Sequence, residues 1–213
     1  LLLGGMVTIA SAQENELGVM QNFHIIEMEG VNQAKTFRRM EARDKDGKIS
    51  AWLEVEAEKN GSVFTYKVLR EDGSRLIRLG LKQILDGEKK RVEKNSPLET
   101  CFCDTNYTFP RERDIGGMWE IKLKPKRKVE SLIDGVLFLS PNFELVRSEG
   151  TLVKDPSFWT KNVFIVITYT EIAGVRVPIS YESTANARFH GKVIVSVNYN
   201  YLSLNGTPLV ETK

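Results

Sequence analysis

The sequence predicts a mainly β protein: a single strongly curved antiparallel sheet, or incomplete β-barrel, with one inserted amphipathic helix as a lid. Most of the chain alternates apolar and polar residues with a period of two, which is typical of half-buried antiparallel strands. Turn sequences such as Asn60-Gly61, Ser140-Pro141-Asn142 and Ala173-Gly174 separate these alternating segments. Only one segment, Ser74 to Lys94, has helical spacing instead.

The N-terminal half is expected to begin with strands. The clearest is Lys48 to Glu58, whose odd-numbered residues are all apolar and whose even-numbered residues are mostly polar. Asn60-Gly61 follows as a hairpin turn, and Ser62 to Arg70 is the second strand of that hairpin. Upstream, Phe23 to Met28 and Lys35 to Arg43 are predicted as two further strands.

The helical segment is predicted to start at Ser74 as its N-cap, and Gly87 marks an expected break. Its apolar stripe is expected to face inward and to contact ligand: Leu76, Ile77, Leu79, Ile84 and Leu85. Burial of one methylene is worth ~0.8 kcal/mol, so a long acyl chain strongly prefers an apolar cavity to water. A protein that must also release such a chain needs a loose cavity and a movable cover. The helix is therefore either such a lid or a plug that fills the core, and its spacing fits both equally.

The C-terminal half alternates again. Its predicted strands are Met118 to Lys124, Glu130 to Leu139, Phe143 to Val153, Asn162 to Ile172, Val175 to Glu182 and Ala187 to Leu204. A meander of this kind curls into a partial barrel to bury one face. Six apolar side chains from its first and last strands are expected to line the cavity: Trp119, Ile121, Leu123, Val195, Val197 and Tyr199.

Length and charge restrict the class of protein. The chain has 213 residues, of which 41% are hydrophobic, and this is sufficient for one large domain. Its net charge of +2 gives no reason to expect nucleic acid as a partner. Residues 1–12 are apolar and end in Ala10-Ser11-Ala12, which predicts the remainder of a secretory signal peptide; a short buried strand or helix is the alternative. Residues 13–213 are then one periplasmic domain, expected to be monomeric.

Residues suited to chemistry are sparse. Cys101 and Cys103 are expected to be two thiols in or beside a loop, with a redox pair, half of a metal site, a strained bridge or pairing to another chain as alternatives. The two histidines, His24 and His190, are expected at the surface or at a strand edge. The sequence has no G-x-S-x-G, H-E-x-x-H or phosphate-loop motif, so we expect a non-enzymatic protein without catalytic residues, metal or cofactor.

Two further features have competing interpretations. Lys122, Lys124 and the run Lys126-Arg127-Lys128 form the densest basic cluster, which is either a contact for anionic headgroups or a solvated hairpin. Phe158-Trp159 is either a contact for a membrane or partner protein, or a pair that folds back on the end of the barrel.

Several motifs between residues 119 and 204 resemble those of the outer-membrane lipoprotein-sorting proteins of the LolA/LolB-like family, closest to its uncharacterised members. They are Leu123 to Lys128, Val146 to Gly150, Lys154 to Trp159, Tyr169 to Pro178, and Phe189 to Gly191 with Tyr199. The resemblance implies an incomplete barrel with helical cover and brings no catalytic residues. It also implies an arginine that closes the lid, for which Arg39 and Arg43 are candidates.

The function that follows is a periplasmic carrier that binds lipid or lipidated protein in an apolar cavity and sorts lipoprotein or lipid to the outer membrane. An outer-membrane or other envelope protein is the expected protein partner. The alternative is an envelope-stress sensor of the same fold, in which the bound ligand switches a protein contact instead of being delivered.

Overall fold

The computed structural model describes residues 31–94, 101–155, 160–187 and 191–209. Within these ranges one large antiparallel sheet carries one helix and is not closed into a barrel, which confirms the predicted fold class. Five predicted features lie outside the described residues: the signal segment 1–12, the strand Phe23 to Met28, Phe158-Trp159 and both histidines, His24 and His190.

The N-terminal part is a three-stranded meander followed by the helix. Its elements are β1 (Gln33–Arg43), β2 (Ile49–Asn60), β3 (Val63–Gly73) and α1 (Arg75–Glu93). Asn60 pairs directly with Val63, and Gly61 between them has φ +56°, a backbone conformation that glycine adopts readily. The hairpin predicted at Asn60-Gly61 is therefore confirmed.

The helix begins where the sequence predicted, with Ser74 in the N-cap position, but without the expected side-chain cap. The Ser74 side chain makes no capping hydrogen bond; instead, the Ser74 backbone N–H donates to the carbonyl oxygen of Ser50 on β2 at 2.9 Å. The helix also runs through Gly87 without a break. A glycine costs a helix ~1 kcal/mol relative to alanine, and the contacts of α1 with the sheet outweigh that cost.

The C-terminal part supplies the other strands. They are β4 (Tyr107–Asp114), β5 (Trp119–Pro125), β6 (Ile133–Leu139), β7 (Leu145–Leu152), β8 (Thr160–Ile172), β9 (Val175–Ala187), β10 (Gly191–Leu204) and the short β11 (Thr207–Pro208). The sequence analysis missed β4, because Pro110 and four consecutive charged residues obscure its alternation. A register shift between Thr108 and Arg111 accommodates the proline, which an edge strand tolerates.

The strand order places β1 beside β10 in the interior of the sheet. It runs β3-β2-β1-β10-β9-β8-β7-β6-β5-β4, with β11 paired to β10. The only neighbours on this path that are distant in sequence are β1 and β10, which pair from Ala34↔Leu204 to Arg43↔Ile194. The two edges, β3 and β4, are not paired with each other, so the sheet stays open.

One row of directly paired residues defines the inner face of the sheet, which α1 covers in part. The row contains Leu53, Met40, Val197, Tyr181, Ile167, Ser148, Leu137 and Ile121, from β2 to β5 in spatial order. Because paired residues of neighbouring strands point to the same side, these eight share one face.

Two clusters of buried side chains lie on the inner face. The N-terminal core lies between α1 and strands β1, β2, β3 and β10, and its largest members are Met40, Leu53, Phe64, Leu81 and Leu85. The C-terminal core lies on β4 to β8 and contains Tyr107, Ile121, Leu123, Leu132, Ile133, Leu137, Leu139, Leu145, Val163 and Ile165. Tyr181 packs against both clusters, so the inner face continues between them.

Candidate functional site: the inner face and its helical cover

The helix covers the inner face with a different stripe from the predicted one. Leu85 is buried, and Ile77 and Ile84 pack against the N-terminal core. Leu81, which the sequence analysis did not include, is also buried. The prediction that Leu76 and Leu79 face inward is wrong, because these residues are 67% and 50% exposed.

Helical geometry explains this correction. At 100° per residue, Ile77, Leu81, Ile84 and Leu85 fall within one sector of the helix, whereas Leu76 and Leu79 point away from it. Leucines occur on both sides of α1, so composition alone does not reveal which side meets the sheet.

Polar contacts fasten α1 to the sheet at three points. Near its start, Glu71 of β3 pairs with Arg78 at 2.8 Å and with Lys82 at 2.7 Å. In its middle, the Tyr66 hydroxyl of β3 donates to Asp86 at 2.7 Å, and desolvation together with this carboxylate raises the pKa of Tyr66 to about 12.

The third point is an ion pair under the helix. Arg38 of β1 is only 7% exposed, and both of its terminal nitrogens donate to the Glu88 carboxylate of α1, at 2.6 and 3.0 Å. Its Nε donates to the Thr36 hydroxyl at 2.9 Å. Desolvation lowers the pKa of Arg38, but the hydrogen bonds and charge of Glu88 outweigh it, so the pKa is raised overall. Arg38 is therefore a permanent buried cation.

Aromatic rings complete the surroundings of Arg38. Its guanidinium carbon lies 5.4 Å from the ring centre of Phe64 on β3 and 4.9 Å from that of Tyr199 on β10, within the range of cation–π attraction. Three sheet strands and one helix thus meet at this side chain.

Arg38 contacts the helix, whereas the ion pairs of the two candidates for a lid-closing arginine, Arg39 and Arg43, do not include it. Arg39 bonds to Glu41 and Glu54, and Arg43 bonds to Glu41. The odd-numbered residues of β1 point to the outer face of the sheet. The partners of Arg39 and Arg43 therefore lie on that face, away from the helix. Strand alternation was the signal that could have identified Arg38, since Met40 and Ala42 mark the inner face of β1.

Between the two cores lies a region that we call the central strip, formed by the half-buried residues Ile167, Tyr181, Val193, Val195, Tyr199 and Tyr201 of β8, β9 and β10. Val195 and Tyr199 lie where the alternation predicted, and Val197 between them is buried in the N-terminal core. Burial raises the pKa of Tyr181, Tyr199 and Tyr201, so their phenols stay neutral. The strip is therefore an apolar and aromatic surface without ionised groups of its own.

The C-terminal core contains the other predicted lining residues. Ile121 and Leu123 have no exposed area, and Trp119 packs on Phe143 with ring centres 5.8 Å apart. Their burial is completed by side chains of the protein itself, including Tyr107, whose hydroxyl accepts a hydrogen bond from the Ile133 backbone N–H. Their contact with a ligand stays a prediction.

The basic cluster is engaged in local contacts. Lys122 and Lys124 pair with Asp134, at 3.3 and 2.6 Å, and lower the pKa of that carboxyl. Lys126 donates to the carbonyl oxygen of Asp104, and Arg127 donates to the side-chain oxygen of Asn106. Lys128 is exposed. A headgroup contact for this cluster stays a prediction.

The cysteines form a bond that the sequence analysis considered only as an alternative. Cys101 and Cys103 are disulfide-bonded to each other, so their interpretation as two separate thiols is wrong. The side-chain nitrogen of Asn106 donates to the carbonyl oxygen of Cys101 at 2.9 Å.

Among residues 31–94, 101–155, 160–187 and 191–209, no cluster of three or more His, Cys, Asp or Glu side chains is arranged to hold a metal ion.

A wide depression of about 500 Å³ lies at the ends of β7 and β8. Most of its lining is polar: Lys128, Leu152, Val153, Lys154, Asp155, Lys161 and Asn162. That lining does not suit a hydrocarbon chain, whereas the side chains of the central strip are apolar and aromatic. In the part of the chain that the structure describes, no helix has the length and apolar character needed to cross a membrane.

Comparisons with known proteins were made at three levels. No family model matches the chain, and no curated protein matches it significantly. A solved domain from Vibrio parahaemolyticus, described as an outer membrane lipoprotein-sorting protein, is 11% identical, with 93% of this chain and 95% of that chain covered at a TM-score of 0.49.

Two other solved structures are similar to this chain at 9% identity. A DUF1329 family protein from Desulfovibrio piger has a TM-score of 0.43, with 88% of this chain and 90% of that chain covered. A LolA superfamily protein from Nitrosomonas europaea has a TM-score of 0.41, with 92% and 94% covered. The Vibrio and Nitrosomonas proteins bear the name of the lipoprotein-sorting family that the sequence motifs of this chain resemble.

Proposed function

We propose that the protein is a carrier that binds lipid or the acyl chains of a lipidated protein on the central strip, with α1 as a movable cover. One observation carries the proposal: a continuous apolar and aromatic strip lies half-buried beside a helix that polar contacts hold in place. Hydrocarbon that reaches the strip leaves water, and this burial drives binding at ~0.8 kcal/mol per methylene.

The contacts of α1 suit a cover that opens. Its fully buried side chains are Leu81 and Leu85. Burial of two leucines is worth about 3–6 kcal/mol, an upper estimate because unfolded chains already bury part of this surface. The helix is also held by ion pairs and hydrogen bonds. When the helix opens, water replaces these polar contacts, so their net contribution to closure is small. A ligand that replaces the two leucines with its own methylenes offsets the cost of opening.

The proposal includes a location and a partner. The Ala10-Ser11-Ala12 pattern after an apolar segment supports export to the periplasm. A carrier that moves lipid or lipoprotein toward the outer membrane needs a recipient there, so an outer-membrane or envelope protein is the proposed partner. The ligand is carried unchanged, which makes the proposed role non-enzymatic.

Native mass spectrometry and a fluorescent probe test the proposal. Protein purified from cell envelopes should retain lipid in the mass spectrum, and N-phenyl-1-naphthylamine should bind to it and be displaced by added amphiphile. Val195→Asn, which places an amide on the central strip, should weaken probe binding by about tenfold, because the buried amide lacks a partner when hydrocarbon covers it.

Ser196→Asn is the matched control. Ser196 is also half-buried but lies on the outer face, so this substitution should leave probe binding unchanged. Retention of no lipid, or an equal effect of both substitutions on a folded protein, would overturn the proposal.

A further inference from the structure

We infer that the ligand is an anionic amphiphile whose carboxylate or phosphate binds Arg38 in place of Glu88. The inference rests on the proposed function, because it concerns the same inner face and the same helical cover. It adds a charged group to a ligand that the central strip alone defines only as apolar.

Besides its bonds to Glu88, Arg38 makes contacts that belong to the sheet alone. Its Nε is held by Thr36 of the same strand, and the Thr36 hydroxyl in turn donates to the carbonyl oxygen of Ala57 on β2 at 3.4 Å. The rings of Phe64 and Tyr199 flank the guanidinium and belong to β3 and β10. When α1 moves away, these four contacts stay, so Arg38 remains oriented for a new partner.

The helix supplies the present counter-charge. Glu88 is the carboxylate that both terminal nitrogens of Arg38 contact, and it leaves the inner face when α1 opens. Two other charges near the site are positive: Lys59 of β2, which interacts electrostatically with Glu88, and Arg91 of α1, which interacts with Tyr181 and Tyr199. Asp86 of α1 is engaged with Tyr66. Among the described residues, no other acidic group contacts Arg38, so an opened lid exposes a cation without a counter-charge, which is unfavourable in an apolar surrounding.

An anionic headgroup can supply the counter-charge that Arg38 loses when α1 opens. A planar guanidinium binds the two oxygens of a carboxylate or a phosphate in the same bidentate geometry that Glu88 uses here. The headgroup at Arg38 also places its hydrocarbon on the central strip. Tyr199 pairs with Arg38, and Val193 lies six residues before it, which is about 20 Å of inner face along β10.

Displacement of the probe by amphiphiles with equal chains tests the inference. Dodecanoate, dodecyl phosphate and the neutral glyceryl monododecanoate are compared below their micellar concentrations. The wild-type protein should bind the two anions about tenfold more tightly than the neutral amphiphile, since one charge-assisted contact is at stake. Arg38→Gln should abolish this preference while the neutral amphiphile still binds. Whichever anion binds more tightly identifies the source as a fatty acid or a phosphate lipid.

Two further variants complete the test. Glu88→Gln removes the carboxylate that competes with the ligand and should raise the ratio of anionic to neutral affinity. Because this variant retains Arg38, it still tests the inference if Arg38→Gln does not fold. Arg39→Gln alters a neighbouring arginine on the outer face and should leave the ratio unchanged. A wild-type ratio near one, or a ratio unaffected by both Arg38→Gln and Glu88→Gln, would overturn the inference. Failure of all three amphiphiles to bind would instead overturn the proposed carrier function.

Discussion

Neighbouring arginines on β1 show how strand alternation decides the role of a charged side chain. Arg38 points to the inner face and is held under α1 by Glu88. Arg39 points to the outer face, where its guanidinium carbon lies 3.9 Å from the ring centre of Trp52 and its Nη1 donates to Glu54 at 2.9 Å. A shift of one residue exchanges the two faces of a strand, so similar side chains have different environments.

The outer face offers a test of how pH affects stability. Desolvation raises the pKa of Glu41, but hydrogen bonds from Arg39 and Arg43 outweigh it and hold the pKa below the ordinary value of 4.5. A lowered pKa in the folded state stabilises the protein above pH 4.5, and this contribution is lost as the pH falls through the lowered value. Glu41→Gln should therefore reduce the free energy of unfolding at pH 7 by about 1 kcal/mol and should have little effect at pH 3.

Urea unfolding at the two pH values measures this difference. Glu58→Gln is the control, because Glu58 is exposed on the outer face of β2. An equal loss of stability from Glu41→Gln at pH 7 and pH 3 would show that packing, and not charge, explains the effect.

At the scale of elements, the helix combines few apolar contacts with many polar ones. Leu81 and Leu85 are buried against the sheet, whereas Leu79 on the opposite side is half exposed. Leu81→Ala should reduce the free energy of unfolding by about 2–5 kcal/mol, and Leu79→Ala should change it by less than about 0.5 kcal/mol. Thermal or urea unfolding of both variants checks this, and a larger loss from Leu79→Ala would reverse the assigned orientation of α1.

A pair of glycines joins β6 to β7. Gly135 and Gly150 are directly paired, and a Cβ at Gly135 would lie 1.9 Å from the carbonyl oxygen of Glu149. The two strands thus approach more closely at this point than any side chain permits. Gly135→Ala should destabilise the protein by about 1–3 kcal/mol, because β7 must shift to admit the methyl group.

Gly80 provides the matched control for this substitution. It lies in α1, and a Cβ there would meet no atom within 4 Å. Gly80→Ala should therefore stabilise the protein by about 0.5–1 kcal/mol through the higher helix propensity of alanine. Urea midpoints that move in the same direction for both substitutions would contradict this account.

At the scale of the whole molecule, the pairing of β1 with β10 unites the two parts of the chain. These strands lie in the interior of the sheet, while β3 and β4 form its edges. Central strands open only with the whole sheet, whereas edge strands open locally. Amide hydrogen exchange, followed by mass spectrometry or NMR, should be slowest in β1 and β10 and markedly faster in β4. Equal protection of β4 and β10 would show that this edge is covered.

The sequence predicted most strands and the helix because each has a local signal. Alternation identified β2 and the strands from β5 to β10, and Asn60-Gly61 identified a hairpin. Where the local signal was weak or shared, prediction failed: Pro110 obscured β4, and leucines on both sides of α1 concealed which side is buried. The disulfide between Cys101 and Cys103 was considered only as an alternative, because two-residue spacing is poor for an ordinary disulfide.

By itself, the sequence determined the fold class, the positions of most strands and of the helix, and the apolar character of the inner face, because period and composition are local properties of the chain. The tertiary structure decided that β1 pairs with β10, that Arg38 and Glu88 meet across fifty residues, and which stripe of α1 covers the sheet. These arrangements depend on strand order and register, which are set by the packing of distant segments and leave no local pattern to read.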